Sequence, residues 1–75
     1  MLDIYNEQRY KIAENLTNAR ASLNLTRTRF ADELGINRTT LYLYESGQRI
    51  IPTELLCLIY DKYGITPNQI LGVNC

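Results

Sequence analysis

The residues best suited to chemistry lie in one short stretch, "GINRTTLYLYESGQR", from Gly35 to Arg49. Laid out as a helix at about 100° per residue from Arg38, the side chains of Tyr42, Ser46, Thr39 and Leu43 fall within about 140° of it. That face offers a forked cation, hydroxyls on Thr39, Tyr42 and Ser46, and a bare aliphatic group on Leu43. A guanidinium can grip the two acceptors on guanine's major-groove edge, and an aliphatic side chain can rest on a thymine methyl. At the start of the same helix, Asn37, Arg38 and Thr39 stand where free N–H groups and the macrodipole favour a phosphate. Leu41 and Tyr44 fall near 300° and 240° and are expected to face a core.

The surrounding charges are of one kind. From Thr26 to Arg49 the cations are Arg27, Arg29, Arg38 and Arg49, set against Asp32, Glu33 and Glu45. Arginine is the cation suited to forked contacts with phosphate or guanine, and lysine occurs only at Lys11 and Lys62. Over the whole chain eight Lys+Arg balance eight Asp+Glu, which counts against the basic footprint of many nucleic-acid binders. An enzyme is a poor fit: histidine is absent, there is no Gly-rich phosphate loop, and no nucleophile–base pair can be named, so no catalytic residue is assigned. Cys57 sits in an apolar run and is expected in the core, while Cys75 is the last residue. With so few candidate ligands, neither a metal nor a cofactor is expected. No apolar run reaches the roughly 18 residues of a membrane span, and "MLDIYNEQRY" lacks a signal core, so a cytoplasmic protein is expected.

The elements that must hold this face are helical nearly throughout. A chain of 75 residues is read as one domain over 1–75, whose core leaves a margin of roughly 3–5 kcal/mol. Tyr5, Ile12, Leu16, Ala19 and Leu23 form one stripe of a helix from about Tyr5 to about Leu23, with Glu7, Gln8, Lys11, Glu14, Asn15 and Asn18 on its solvated side. Thr26 can cap a second helix that turns Phe30, Ala31 and Leu34 inward and Arg29, Asp32 and Glu33 outward, ending at Gly35. Asn37 caps the third, which starts at Arg38 and is closed by Gly47. Pro52 and Thr53 open a fourth, with Leu55, Leu56, Ile59, Tyr60 and Tyr63 as its apolar positions and Gly64 as its stop. "TPNQ" at Thr66–Gln69 is a capping box with proline at the first helical position, after which Ile70 and Leu71 pack back on the core. The expected fold is therefore all-α, with five helices. Gly35, Ile36 and Asn37 join the second and third as a helix-turn-helix, with small Ala31 permitting close approach and Ile36 plugging the gap.

On these residues, "LTRTRFADELGINRTTLYLYESGQR" resembles the helix-turn-helix core of the Xre/Cro/repressor family of bacterial and phage DNA-binding proteins. Leu25, Thr26, Ala31, Leu34, Gly35, Glu45 and Gly47 match the family pattern directly, and Phe30, Ile36 and Asn37 are close substitutes. The likeness runs from about Ile12 to Leu71 and implies a compact lambda-repressor-like DNA-binding domain. It implies base-edge contacts from Arg38, Thr39, Thr40 and Leu43. Phosphate contacts are implied for Thr26, Arg27, Asn37, Tyr42, Gln48 and Arg49, with Arg27 standing where many members have glutamine. It also implies a structural ion pair between Arg20 and Glu45. Three features depart from the pattern: Arg29 replaces a capping acid, Leu43 replaces a polar reader, and Ile50 and Ile51 displace Pro52 from its usual place.

The expected function is a sequence-specific regulator of double-stranded DNA, a repressor that reads the major groove with its third helix. The alternative is the same fold used as a protein-interaction module: antirepressor, adaptor or antitoxin. One reading head contacts few bases, so a homodimer is expected at least on DNA. Ile50, Ile51, Ile70 and Val73 are either core and cover or part of its seam.

Overall fold

The computed structural model describes residues 4–73. Among them are five helices and no strand: α1 (Ile4–Ser22), α2 (Arg27–Leu34), α3 (Arg38–Glu45), α4 (Thr53–Tyr63) and α5 (Pro67–Leu71). The Tyr5 side chain and Cys75 lie outside the described residues.

Short-range chemistry sets the ends of these helices. Thr26 Oγ1 accepts from Arg29 N–H at 3.1 Å, and Asn37 Oδ1 accepts from Thr40 N–H at 2.7 Å. Thr66 and Gln69 close the capping box reciprocally. Gly35 takes φ +72° after α2, and its N–H returns to the Ala31 and Asp32 carbonyls. A side chain there would strain the backbone although nothing lies within 4 Å to obstruct it. Between α1 and α2 the left-handed residue is Asn24, at φ +58°, a conformation asparagine tolerates.

The core joins Leu16 of α1, Phe30, Ala31 and Leu34 of α2, Leu41 of α3, Ile51, then Leu55, Leu56 and Ile59 of α4 and Ile70 of α5. Phe30, Leu16, Leu41, Ile59 and Ile70 are its largest fully enclosed side chains. Ile12, Leu23, Ile36, Tyr44 and Tyr63 pack around its margin. α1 runs against both α3 and α5, and α2 against α3 and α4, so the turn-joined pair is clasped from two sides.

Four expected positions are corrected. Cys57 is exposed, and so is Tyr60. From Leu55, the inward residues Ile59, Tyr63 and Leu56 fall at about 40°, 80° and 100°, while Tyr60 falls at about 140° and Cys57 at about 200°. The inward arc closes before either of them. In α5, Ile70 is buried but Leu71 is exposed, because a helix of five residues turns one neighbour inward and the next about 100° away. Asn15, placed on the solvated side of α1, is half-buried and its amide donates to the Ile70 carbonyl at 3.1 Å. Ile51 and Ile70 belong to the core, whereas Ile50 and Val73 are exposed.

Candidate nucleic-acid interface

The α2–turn–α3 unit presents the candidate face. Ile36 N–H bonds back to the Ala31 carbonyl at 3.1 Å, which fixes the turn, and Leu41 drives α3 onto the core. Arg38, Thr39 and Tyr42 are exposed side by side along α3, with Asn37 exposed at its start. Arg38 makes no ion pair among the described residues. Thr40 is half-buried, and its N–H is the one Asn37 caps.

Leu43 is not the bare aliphatic group its wheel position implies. It is half-buried, and its carbonyl accepts from Gln48 N–H at 3.0 Å, Arg49 N–H at 3.1 Å and Ser46 Oγ at 3.3 Å. These bonds fold the α3–α4 turn back onto the last turn of α3. Ser46 is half-buried as well, and Gln48 Nε2 donates to its Oγ at 3.1 Å. Gln48 and Arg49 are exposed on this turn.

At the far end of α3 a buried carboxylate ties three helices together. The Glu45 side chain is 1% exposed. Its Oε2 accepts from Arg20 Nε of α1 at 2.8 Å, and its Oε1 from Arg27 Nε of α2 at 3.0 Å. Arg20 Nη1 also donates to the Leu25 carbonyl at 2.9 Å, so one guanidinium holds both α3 and the chain entering α2. Both Glu45 oxygens thus have partners, which a buried charge requires. Arg27 reaches one step further: its guanidinium carbon lies 5.3 Å from the centroid of the Tyr42 ring, within cation–π range. Thr26, exposed, uses its hydroxyl as the α2 cap.

The second arginine on Glu45 lies outside the expected Arg20–Glu45 pair, although the sequence carries a signal for it. Seven steps from Arg38 put Glu45 at about 340°, between Leu41 and Arg38, at the rim of the core where a lone carboxylate needs more than one donor. The close approach of α1 to the α3–α4 turn lies outside the sequence expectations as well. Gly47 is buried at φ +82°, and a Cβ there would meet Tyr10 Cε1 at 2.8 Å. Tyr10 lies N-terminal to the family-like core and gives no periodic signal.

On the opposite side of α2, Glu33 accepts from the Tyr63 hydroxyl of α4 and from Arg29 Nε at 2.8 Å. These two bonds, Tyr63 first, hold the Glu33 carboxyl below its ordinary range. Burial, reinforced by the bond to Glu33, pushes the Tyr63 phenol up to about 12. The Tyr63 ring packs on Phe30 with centroids 5.6 Å apart, fastening α4 to α2. Among the described residues there is no cluster of three or more potential metal ligands, and no helix long and apolar enough to cross a membrane.

A family profile described as helix-turn-helix matches residues 16–70, which take in Arg20, the whole of α2 and α3, and Glu45. The chain is 39% identical over 62 residues to the transcriptional repressor RstR of the cryptic phage CTXphi from Vibrio cholerae serotype O1, covering 83% of this chain and 55% of that protein. It is 34% identical over 61 residues to the antitoxin PezA of Streptococcus pneumoniae serotype 4, covering 81% of this chain and 39% of that protein. The chain therefore spans about half or less of the length of these relatives. No solved structure matches it.

Proposed function

The chain belongs to the helix-turn-helix family of the Xre/Cro/repressor type, and from that premise we propose that it is a sequence-specific DNA-binding transcriptional regulator, a repressor acting by occlusion in the cytoplasm. One observation carries the reading: Arg38, Thr39 and Tyr42 stand exposed together on α3, which Glu45 anchors from behind. α3 enters the major groove, with Arg38, Thr39, Thr40 and Leu43 at base edges. Thr26, Arg27, Asn37, Tyr42, Gln48 and Arg49 meet the phosphates around them. The exposure of Gln48 and Arg49 beside the α3 face supports this arrangement, as does the Asn37-capped N-terminus. The working form on DNA is a homodimer whose heads read half-sites about one duplex turn apart. Leu71 and Val73, exposed at the end of α5, offer apolar area for its seam.

The test is selection from a random duplex pool followed by a salt titration of the winner. An enriched sequence is expected, with log K falling by about 0.9 per phosphate contact for each decade of salt. The spacing of repeated half-sites reports the dimer. No enrichment, or a flat salt response, would remove the regulator reading. The second reading, a protein-interaction module, is favoured by the net charge of zero and by the antitoxin among the relatives. It predicts that the pool fails while substitutions at Tyr42 and Leu43 weaken binding to a protein partner.

A further inference from the structure

Arg27 and Tyr42 each stand among the phosphate contacts proposed above, yet in the structure they are not separate groups. Arg27 Nε is committed to Glu45 at 3.0 Å, and the guanidinium lies over the Tyr42 ring at 5.3 Å. The Arg27 side chain is 39% exposed and Tyr42 is 44% exposed, so the pair is open to solvent on its outer edge. A guanidinium has five N–H donors, and the bond to Glu45 uses one. The four on Nη1 and Nη2 make no hydrogen bond among the described residues. Nε is held by Glu45 and the guanidinium lies over the Tyr42 ring, so the fork is partly positioned before any ligand arrives. Such a fork gives up little further entropy on meeting a planar pair of phosphate oxygens.

We propose that Arg27 and Tyr42 act as one composite phosphate clamp, in which Glu45 and the Tyr42 ring aim the Nη edge of Arg27 at the duplex backbone. The clamp joins α2 to α3, so engagement of the phosphate also sets the depth at which α3 meets the bases. This inference rests on the DNA-binding reading and adds to it a coupling that two independent contacts would lack.

The salt slope of duplex binding separates the two cases, because removing an uncharged ring should change it only if the ring holds a cation in place. With the pool-selected duplex, Arg27→Gln is expected to flatten the slope by about 0.9 per protomer. Tyr42→Leu, which removes no charge, is expected to flatten it comparably, and Tyr42→Phe, which keeps the ring and loses only the hydroxyl, to flatten it less than Tyr42→Leu. The double variant Arg27→Gln/Tyr42→Leu should lose no more slope than Arg27→Gln alone. Arg27→Lys keeps the charge without the planar fork, so it should keep the slope while weakening binding at every salt concentration, which decides the matter even where Tyr42→Leu folds poorly. An unchanged slope in Tyr42→Leu, undiminished affinity in Arg27→Lys, or losses that add in the double variant, overturns the clamp and leaves DNA binding standing. An unmodified protein with no salt-dependent duplex affinity overturns the clamp together with the reading beneath it.

Discussion

Replacing Glu45 by alanine should be among the most damaging single changes to this fold, although Glu45 is neither large nor apolar. The carboxylate is enclosed, at 1% exposure, while its partners differ: the Arg20 side chain is 16% exposed and that of Arg27 39%. Removing one member of a buried pair strands the other charge and costs about 3–5 kcal/mol. Arg20 keeps its bond to the Leu25 carbonyl and some access to water, which argues for the low end, about 3 kcal/mol. The Arg27 bridge is solvent-screened and contributes about 0.5–1 kcal/mol. The expected order of loss is therefore Glu45→Ala, then Arg20→Ala, then Arg27→Ala below about 1 kcal/mol. For a domain of this size a loss of about 3 kcal/mol lowers the melting temperature by about 12–24 °C. Urea titration and thermal melting followed by far-UV circular dichroism measure both quantities on the same samples. Equal losses for Glu45→Ala and Arg27→Ala, or a Glu45→Ala loss under about 1 kcal/mol, would show that solvent already screens the carboxylate and that the anchoring argument fails.

The Glu33–Tyr63 bond predicts a pH signature at both ends of the scale. Glu33 is depressed below its ordinary 4.5, so its contribution to stability is present above that pH and is lost as pH falls through the lower folded value. Tyr63 is raised from 10.0 to about 12, so its contribution is complete below pH 10 and is lost as pH rises toward 12. Tyr63→Phe should flatten melting temperature against pH in both regions, and parallel curves for the two proteins would contradict this. Gly47→Ala forces a side chain to φ +82° and into the Tyr10 ring, with an expected loss of about 1–2 kcal/mol in urea titration. Adding Tyr10→Ala should recover the steric part alone, so a full recovery would show that the backbone angle carries no strain. Arg38→Ala should relax base preference at one operator position, by about 1–3 kcal/mol of discrimination in competition binding, and should leave the other positions as they were.

What could be read in the sequence was what is decided locally. Thr26, Asn37 and Thr66 cap their helices through atoms three residues away, and Gly35 and Gly64 take left-handed angles that few other residues accept. Alternation of type told inside from outside where charges interrupt the apolar residues, as in α2. In α4 the run from Leu55 to Tyr60 is unbroken, so its composition names no inward face, and only the packing of Leu55, Leu56 and Ile59 inward leaves Cys57 and Tyr60 exposed. The candidate face divides in the same way. The exposure of Arg38, Thr39 and Tyr42 follows from helical period, but the partial burial of Leu43 does not, since the same period puts it on the outward face.

The same division explains why α3 needs Glu45. Among its eight residues Leu41 is the one apolar side chain fully in the core, since Tyr44 and Leu43 are half-buried and Tyr42 faces solvent. An exposed face rich in polar and aromatic groups leaves little apolar area to hold so short a helix, and isolated helices of this length do not persist in water. A buried, doubly paired carboxylate at its C-terminal end supplies directional fastening that a single leucine lacks. It fixes the rotation of α3 about its own axis as well as its position, and that rotation decides which side chains Arg38, Thr39 and Tyr42 stand beside. The ion pairs at Glu45 are thus the structural condition for an exposed α3 face made of residues that contribute little to the core.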